Sequence, residues 1–303
     1  MIRVENILCP VDFFPASERA AEYAAALASN YGAKLTLLHV VSPLVSPAYE
    51  VPMNVEQIMK SLIESSQAGI KRVAEHIKQR DVPVETVVLA GDIDSEIQQQ
   101  VSKTRADMVV MGTHGRQSIG RWFLGSHTER LLRRLPVPVL TIGPGKTKAV
   151  PPSIRRILVT TDFSDGTPDA MDYAFSIAQE CQAQVTLLHV IDGMTINAQR
   201  KYREPLIRSI ADELEKLVPD EARNWCHIAI RVENGTPVNE ILKILKRERV
   251  DLVVMNIHGK GMLDRALLGS TAERVVRGAG VPVLLIPPLS TGKRKKRPAR
   301  KAA

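Results

Sequence analysis

Gly112, Gly115 and Gly125, followed by Ser126, form a G-x2-G-x9-G-S pattern behind the apolar run Asp107-Met-Val-Val-Met111. These residue types in this order suit anion binding. Glycine lets backbone N–H groups approach a phosphate closely, and the first turn of a helix adds unpaired N–H groups and the positive end of its dipole. His114 lies between the first two glycines, where a ring N–H could donate to a phosphate oxygen. Ser126-His-Thr-Glu129 also fits a capping box, so a plain helix cap is the alternative role for Ser126. Asp12 ends the first apolar run of the chain. A carboxylate there could accept from a ribose hydroxyl or an adenine amino group, help hold a Mg²⁺ carried by phosphates, or cap the next helix.

Other chemistries lack their signatures. Gly145-Lys146-Thr147 imitates the end of a Walker A loop, but the earlier glycine position is Leu140 and Pro151-Pro152 follows. No G-x-G-x-x-G follows the first strand of either half. His39 and His189, both within Thr-Leu-Leu-His-Val, read as satisfied strand-end residues. Cys9, Cys181 and Cys226 are too few and too scattered for a disulfide framework or a zinc site, and are expected to be reduced and mostly buried. With no catalytic triad, acid–base carboxylate pair or metal-ligand cluster, binding is better supported than turnover.

The elements that must position these residues come as a repeat. Asn6-Ile-Leu-Cys-Pro-Val-Asp12-Phe returns as Arg156-Ile-Leu-Val-Thr-Thr-Asp162-Phe, an offset of 150, and Asp107-Met-Val-Val-Met returns as Asp251-Leu-Val-Val-Met255, an offset of 144. That period means two copies of a whole domain, each expected to bury its own core. In the first copy, strands are predicted near 4–11, 34–41, 84–90, 107–112 and 137–142, and helices near 16–30, 55–80, 93–105 and 126–135. Mostly apolar strands alternating with helices predict an α/β fold with a five-stranded parallel sheet covered on both faces. Thr236-Pro237 predicts the start of a helix over 238–249. The expected domains are 1–145 and 153–288, joined by a linker rich in Gly and Pro, with a basic, disordered tail over 289–303.

The chain of 303 residues is 44% hydrophobic and 24% charged, the profile of a globular protein, and has neither a membrane-length apolar run nor a signal-peptide core. A cytoplasmic location is expected. Of the net charge of +8, seven positive charges lie in Lys293 to Lys301, leaving the body near neutral. Contact with nucleic acid or anionic membrane would fall to that tail alone.

In sum these motifs resemble universal stress proteins in their tandem form. The signature glycines and Ser126, the strand-one Asp of each half, the Leu-Gly-Ser-x-x-Glu-Arg helix starts and the Val-Pro-Val-Leu last strands carry the resemblance. It implies two Rossmann-like domains of the adenine nucleotide alpha hydrolase type, strand order 3-2-1-4-5, and ATP with Mg²⁺ as ligand. Pro10, Asp12, Val40 and Met111 would then surround adenine and ribose, and Gly112, His114, Gly115, Gly125, Ser126, His127 and Thr128 the phosphates. The second copy offers Asp162, Val190, Asn256, His258, Gly259, Gly269, Ser270 and Thr271, with Asn256 in place of the first glycine and Thr160 in place of Pro10. An Asn side chain there is expected to occupy space that glycine leaves open. The resemblance implies a nucleotide-dependent stress-response switch or sensor, with a weak ATPase or phosphotransferase, or an interaction protein docking through its tail, as alternatives. The family pairs domains through the last strand, so an internal pseudo-dimer that dimerises again is also implied.

Overall fold

A computed structural model of the chain describes residues 2–42, 55–77, 82–113, 124–143, 154–191, 203–259 and 268–288. His114, Gly115, most of the linker and the basic tail lie outside the described residues. The first half runs β1 (Asn6–Pro10), α1 (Pro15–Tyr31), β2 (Lys34–Val41), α2 (Val55–Ile77), β3 (Val84–Ala90), α3 (Ile93–Thr104), β4 (Met108–Gly112), α4 (Ser126–Arg134) and β5 (Val139–Ile142). The second repeats it as β6 (Arg156–Thr160), α5 (Thr167–Cys181), β7 (Gln184–Ile191), α6 (Arg203–Lys216), β8 (Ile228–Asn234), α7 (Pro237–Arg247), β9 (Leu252–Asn256), α8 (Ser270–Gly278) and β10 (Val283–Ile286). The predicted strands and helices of the first half are all present, and the helix after Thr236 begins at Pro237 as expected.

Local chemistry sets these boundaries. Ala20, Ala21, Ala24, Ala25 and Ala28 are buried along α1, a small-residue face that lets the helix lie close to the sheet. Gly32 ends α1 in the left-handed region at φ 65°, returning its N–H to Ala28 and Ser29 carbonyls. Asp92 caps α3 by accepting from Ser95 N–H at 3.0 Å. The repeated Asp107 and Asp251 are structural. Asp107 Oδ2 accepts from the amides of Glu5 and Asn6, and Asp251 Oδ2 from those of Arg155 and Arg156, so each clamps the start of the neighbouring strand.

All ten strands join one sheet in the order β3-β2-β1-β4-β5-β10-β9-β6-β7-β8. Each half thus has the predicted order 3-2-1-4-5. Pairing is parallel throughout except at the seam, where β5 and β10 run antiparallel with Leu140 opposite Leu284 and Thr141 opposite Val283. The two leucines are equivalent positions of the repeat, so a pseudo-two-fold axis passes through their pair. Thr141 Oγ1 adds a bond to Val283 O at 3.0 Å. Both last strands are consumed by this pairing, so a homodimer of whole chains needs another surface.

The expectation of one core per repeat is replaced by one core per sheet face. One cluster joins residues of α1, α2 and α5, and the other residues of α3, α4, α7 and α8, each continuing across the seam. The reason is the unbroken sheet: its two faces are continuous, so side chains of both halves meet over β5 and β10. On the first face, α1 and α5 also touch, with Tyr31 Oη 3.4 Å from Ser176 Oγ and Ser176 Oγ donating to Ile2 O.

Two of the three thiols sit inside this packing. Cys9 and Cys226 are buried, and burial pushes both thiols above their ordinary range. Cys181 is raised by burial too, offset in part by Asn30 Nδ2 donating to its sulfur. With thiolate scarce and access closed, Cys9 and Cys226 are expected to stay silent to a thiol reagent at pH 8 while the fold is intact, and to react once it is unfolded. Rapid labelling of Cys9 in native protein, located by peptide mapping, would contradict the packing described.

Candidate functional site

The first and fourth strands of each half are neighbours, β1 beside β4 and β6 beside β9. Their carboxyl ends form the place where strand order reverses, the usual crevice of an open α/β sheet. Pro10 ends β1, Met111 and Gly112 end β4, and α4 begins at Ser126 on the same edge. The sequence-predicted residues of the first half that fall within the described residues are therefore assembled at one edge.

Each strand-one Asp is aimed by a strained turn. Phe13 and Phe163 hold φ of +64° and +59°, a left-handed conformation that bulky residues rarely adopt and that costs on the order of 1–3 kcal/mol. Aromatic contact offsets this: Phe13 stacks on His39 with ring centroids 4.4 Å apart, and Phe163 lies 4.8 Å from His189. His39 Nδ1 is 2.7 Å from Val11 O and His189 Nδ1 is 2.9 Å from Thr161 O. A carbonyl only accepts, so Nδ1 carries the proton in both rings. The two histidines are thus the satisfied strand-end residues that were expected, and they fix the turn that presents Asp12 and Asp162. Asp12 is exposed, and its Oδ1 accepts from Phe14 N–H at 3.1 Å. It does not cap α1, whose cap position is Phe14 and carries no side-chain cap bond.

The capping box predicted at Ser126 is not formed. Gly125 occupies the cap position, its carbonyl accepting from Glu129 N–H at 2.9 Å, and Ser126 is the first helical residue. Glu129 pairs with Arg133 along the helix instead of reaching back. The physical reason is that glycine enters the helix with an extended ψ of 139° and no side chain, which displaces Ser126 one position inward. Its hydroxyl is exposed at the helix start and is not spent on capping.

The remaining first-half residues divide by role. Gly112 has its missing side chain turned toward α1: an added Cβ would lie 2.9 Å from Ala16 C and 3.0 Å from Ser17 N. Thr128 is buried and donates to Gly112 O at 3.1 Å, locking α4 to the end of β4. Met111 is buried in the core, and Val40 is half-buried against the same face. His127 Nδ1 lies 2.6 Å from Asp94 Oδ1, and Arg130 Nε pairs with the other oxygen of that carboxylate. Arg130 Nη2 also lies 3.0 Å from that ring nitrogen, so His127, Asp94 and Arg130 form one cluster. Asp94 gave no signal in the sequence, because its partners lie on α4, more than 30 residues away.

The second half shows how Asn256 is accommodated. With its amide oriented so that both atoms are satisfied, Asn256 donates to Gly166 O at 3.0 Å and accepts from Thr167 N–H at 3.2 Å. The side chain therefore caps the start of α5 and occupies space beside Gly166 that a glycine at position 256 would leave open, as expected from sequence. Room for it comes from Gly166, the counterpart of Ala16, where an added Cβ would sit 3.0 Å from Asn256 Cγ. The small residue has changed sides: Gly112 faces Ala16 in one half, and Asn256 faces Gly166 in the other. Beyond it, an added Cβ at Gly259 would lie 2.8 Å from Asp162 Oδ2, so carboxylate and cradle glycine meet in this crevice. Gly269 N–H donates to Ile257 O at 3.0 Å, as Gly125 does to Thr113 O at 2.8 Å. Ser270 opens α8 with its hydroxyl exposed and uncapping, Thr271 follows it, His258 precedes Gly259, and Val190 is half-buried like Val40.

No helix among the described residues is long and apolar enough to cross a membrane. Residues 3–143 and 153–287 each match the Universal stress protein family. A universal stress protein of Mycolicibacterium smegmatis is 29% identical over 300 residues, covering 93% of this chain and 97% of its own. One from Methanocaldococcus jannaschii is 34% identical over 138 residues, covering 44% of this chain and 81% of its own. Among solved structures, a universal stress protein from Archaeoglobus fulgidus matches with a TM-score of 0.72 at 22% identity, covering 93% of this chain and 97% of that one.

Proposed function

The chain belongs to the universal stress protein family, and from that membership we propose that its first crevice binds ATP and that the protein acts as a cytoplasmic nucleotide-dependent stress-response switch. The observation that carries the reading is the start of α4, where Gly125 serves as cap and leaves the Ser126 hydroxyl exposed, on the same sheet edge as the exposed Asp12 carboxylate. Phosphate would meet the positive end of the α4 dipole, and Asp12 would accept from the ribose or base. The described residues hold no group of three metal-capable side chains. Mg²⁺ would arrive on the phosphates, with Asp12 as the carboxylate on offer, and would supply charge neutralisation of the triphosphate.

Calorimetric titration with ATP tests this. Gly115→Glu places a carboxylate in the signature cradle and is expected to weaken binding by on the order of 100-fold, roughly 2.7 kcal/mol. Unchanged affinity in that variant would remove the cradle assignment. Robust turnover that collapses in Asp12→Ala would favour an enzyme over a switch.

A further inference from the structure

Between α1 and α2, on the first face of the sheet, lies a cavity of about 420 Å³. Its apolar wall is the Phe13 ring together with Val73 and Ile77, both buried. The rim is charged. Glu18 and Glu22 stand one turn apart on α1, and Arg72 and His76 one turn apart on α2, so an acidic wall meets a basic one across the opening. One end of the rim is closed, with Glu22 Oε1 3.3 Å from His76 Nε2. Both helices run back along a parallel sheet and hence in the same direction, so one turn earlier Glu18 stands across from Arg72. These two side chains are exposed, and among the described residues neither makes an ion pair or a hydrogen bond. A free carboxylate and a free guanidinium thus flank an apolar hollow.

The second half is built otherwise at the same positions. The offset of 144 that carries Val84 of β3 onto Ile228 of β8 also carries buried Ile70 onto buried Leu214. By that offset Gly69 corresponds to Glu213 and Arg72 to Lys216. Lys216 Nζ pairs with Glu213 at 2.6 Å, so the cation there is already neutralised. Glycine at 69 removes that carboxylate and makes room for the Phe13 ring, since an added Cβ would lie 3.0 Å from two ring carbons. Glu18 in turn corresponds to Pro168, which carries no charge.

We propose that this cavity binds a free α-amino acid with an apolar side chain, its carboxylate on Arg72, its ammonium on Glu18 and its side chain against Phe13, Val73 and Ile77. A guanidinium only donates and a carboxylate only accepts, so a ligand bearing one acceptor and one donor group of opposite charge satisfies both. The volume lies within the roughly 300–1,000 Å³ usual for small-molecule sites. Because Phe13 forms part of the wall, the bound amino acid would touch the strained turn that presents Asp12.

Calorimetric titration of the full chain with L-leucine and L-phenylalanine tests it. One equivalent per chain is expected. Isoamylamine and isocaproate, which are leucine without its carboxylate and without its amine, are expected to bind at least about tenfold more weakly. Arg72→Gln and Glu18→Gln, both exposed substitutions that spare the fold, are each expected to weaken leucine by about tenfold. Gly69→Glu places the carboxylate of the second half beside Arg72 and is expected to abolish binding. No saturable binding of either amino acid, an amine or acid analogue as tight as leucine, or an affinity unmoved in either Gln variant would overturn the site. Two equivalents per chain would overturn its dependence on Gly69.

Discussion

Gly112→Asn is expected to destabilise the protein by about 3 kcal/mol, because a side chain there must enter the backbone at the start of α1. The added Cβ would stand 2.9 Å from Ala16 C and 3.0 Å from Ser17 N, closer than carbon packs against backbone. Relief requires α1 to lift from the sheet, and α1 buries six alanines and Leu27. The second half states the remedy. Ala16→Gly alone costs about 0.5–1 kcal/mol through backbone entropy, yet added to Gly112→Asn it recreates the Asn256–Gly166 pair. The double variant is expected to recover most of the loss, to within about 1 kcal/mol of wild type. Thermal unfolding of the three variants would read the coupling directly, at about 2–4 °C per kcal/mol for a chain of this size. Strictly additive losses would show that the exchange between halves is not a compensated pair.

Leu284→Asp is expected to have the largest effect of any single change at the seam. Leu284 is fully buried and stands opposite Leu140 on the pseudo-two-fold axis. A carboxylate there would have no described cation beside it, and burying an unpaired charge costs several kcal/mol. Because each face of the sheet carries one apolar cluster through both halves, the damage should spread beyond β10. Calorimetry is expected to show one unfolding transition in wild type and its loss or steep displacement in the variant, by more than about 4 kcal/mol. Two separate transitions, with the first half melting as before, would show that the cores are independent.

Much of this fold was legible because it depends on local periodicity. The offsets of 150 and 144 residues identified two domains, and the apolar strands ending in Asp12, Gly112 and their counterparts placed the crevices. What escaped was contact between distant side chains. Nothing in the spacing of Asn256 discloses Gly166, since the two lie 90 residues apart and meet only where β9 ends against α5. Asp94 escaped in the same way, for its partners are on another helix. Ser126 misled for a different reason: Gly125 and Ser126 both suit a cap, and only backbone geometry decides which takes it.

The single antiparallel pairing at β5 and β10 has a consequence for traffic around the molecule. Strands of the first half point one way and those of the second the other, so their carboxyl ends lie on opposite edges of the sheet. A surface that covers one crevice therefore leaves the other open, and the two crevices face opposite sides of the molecule.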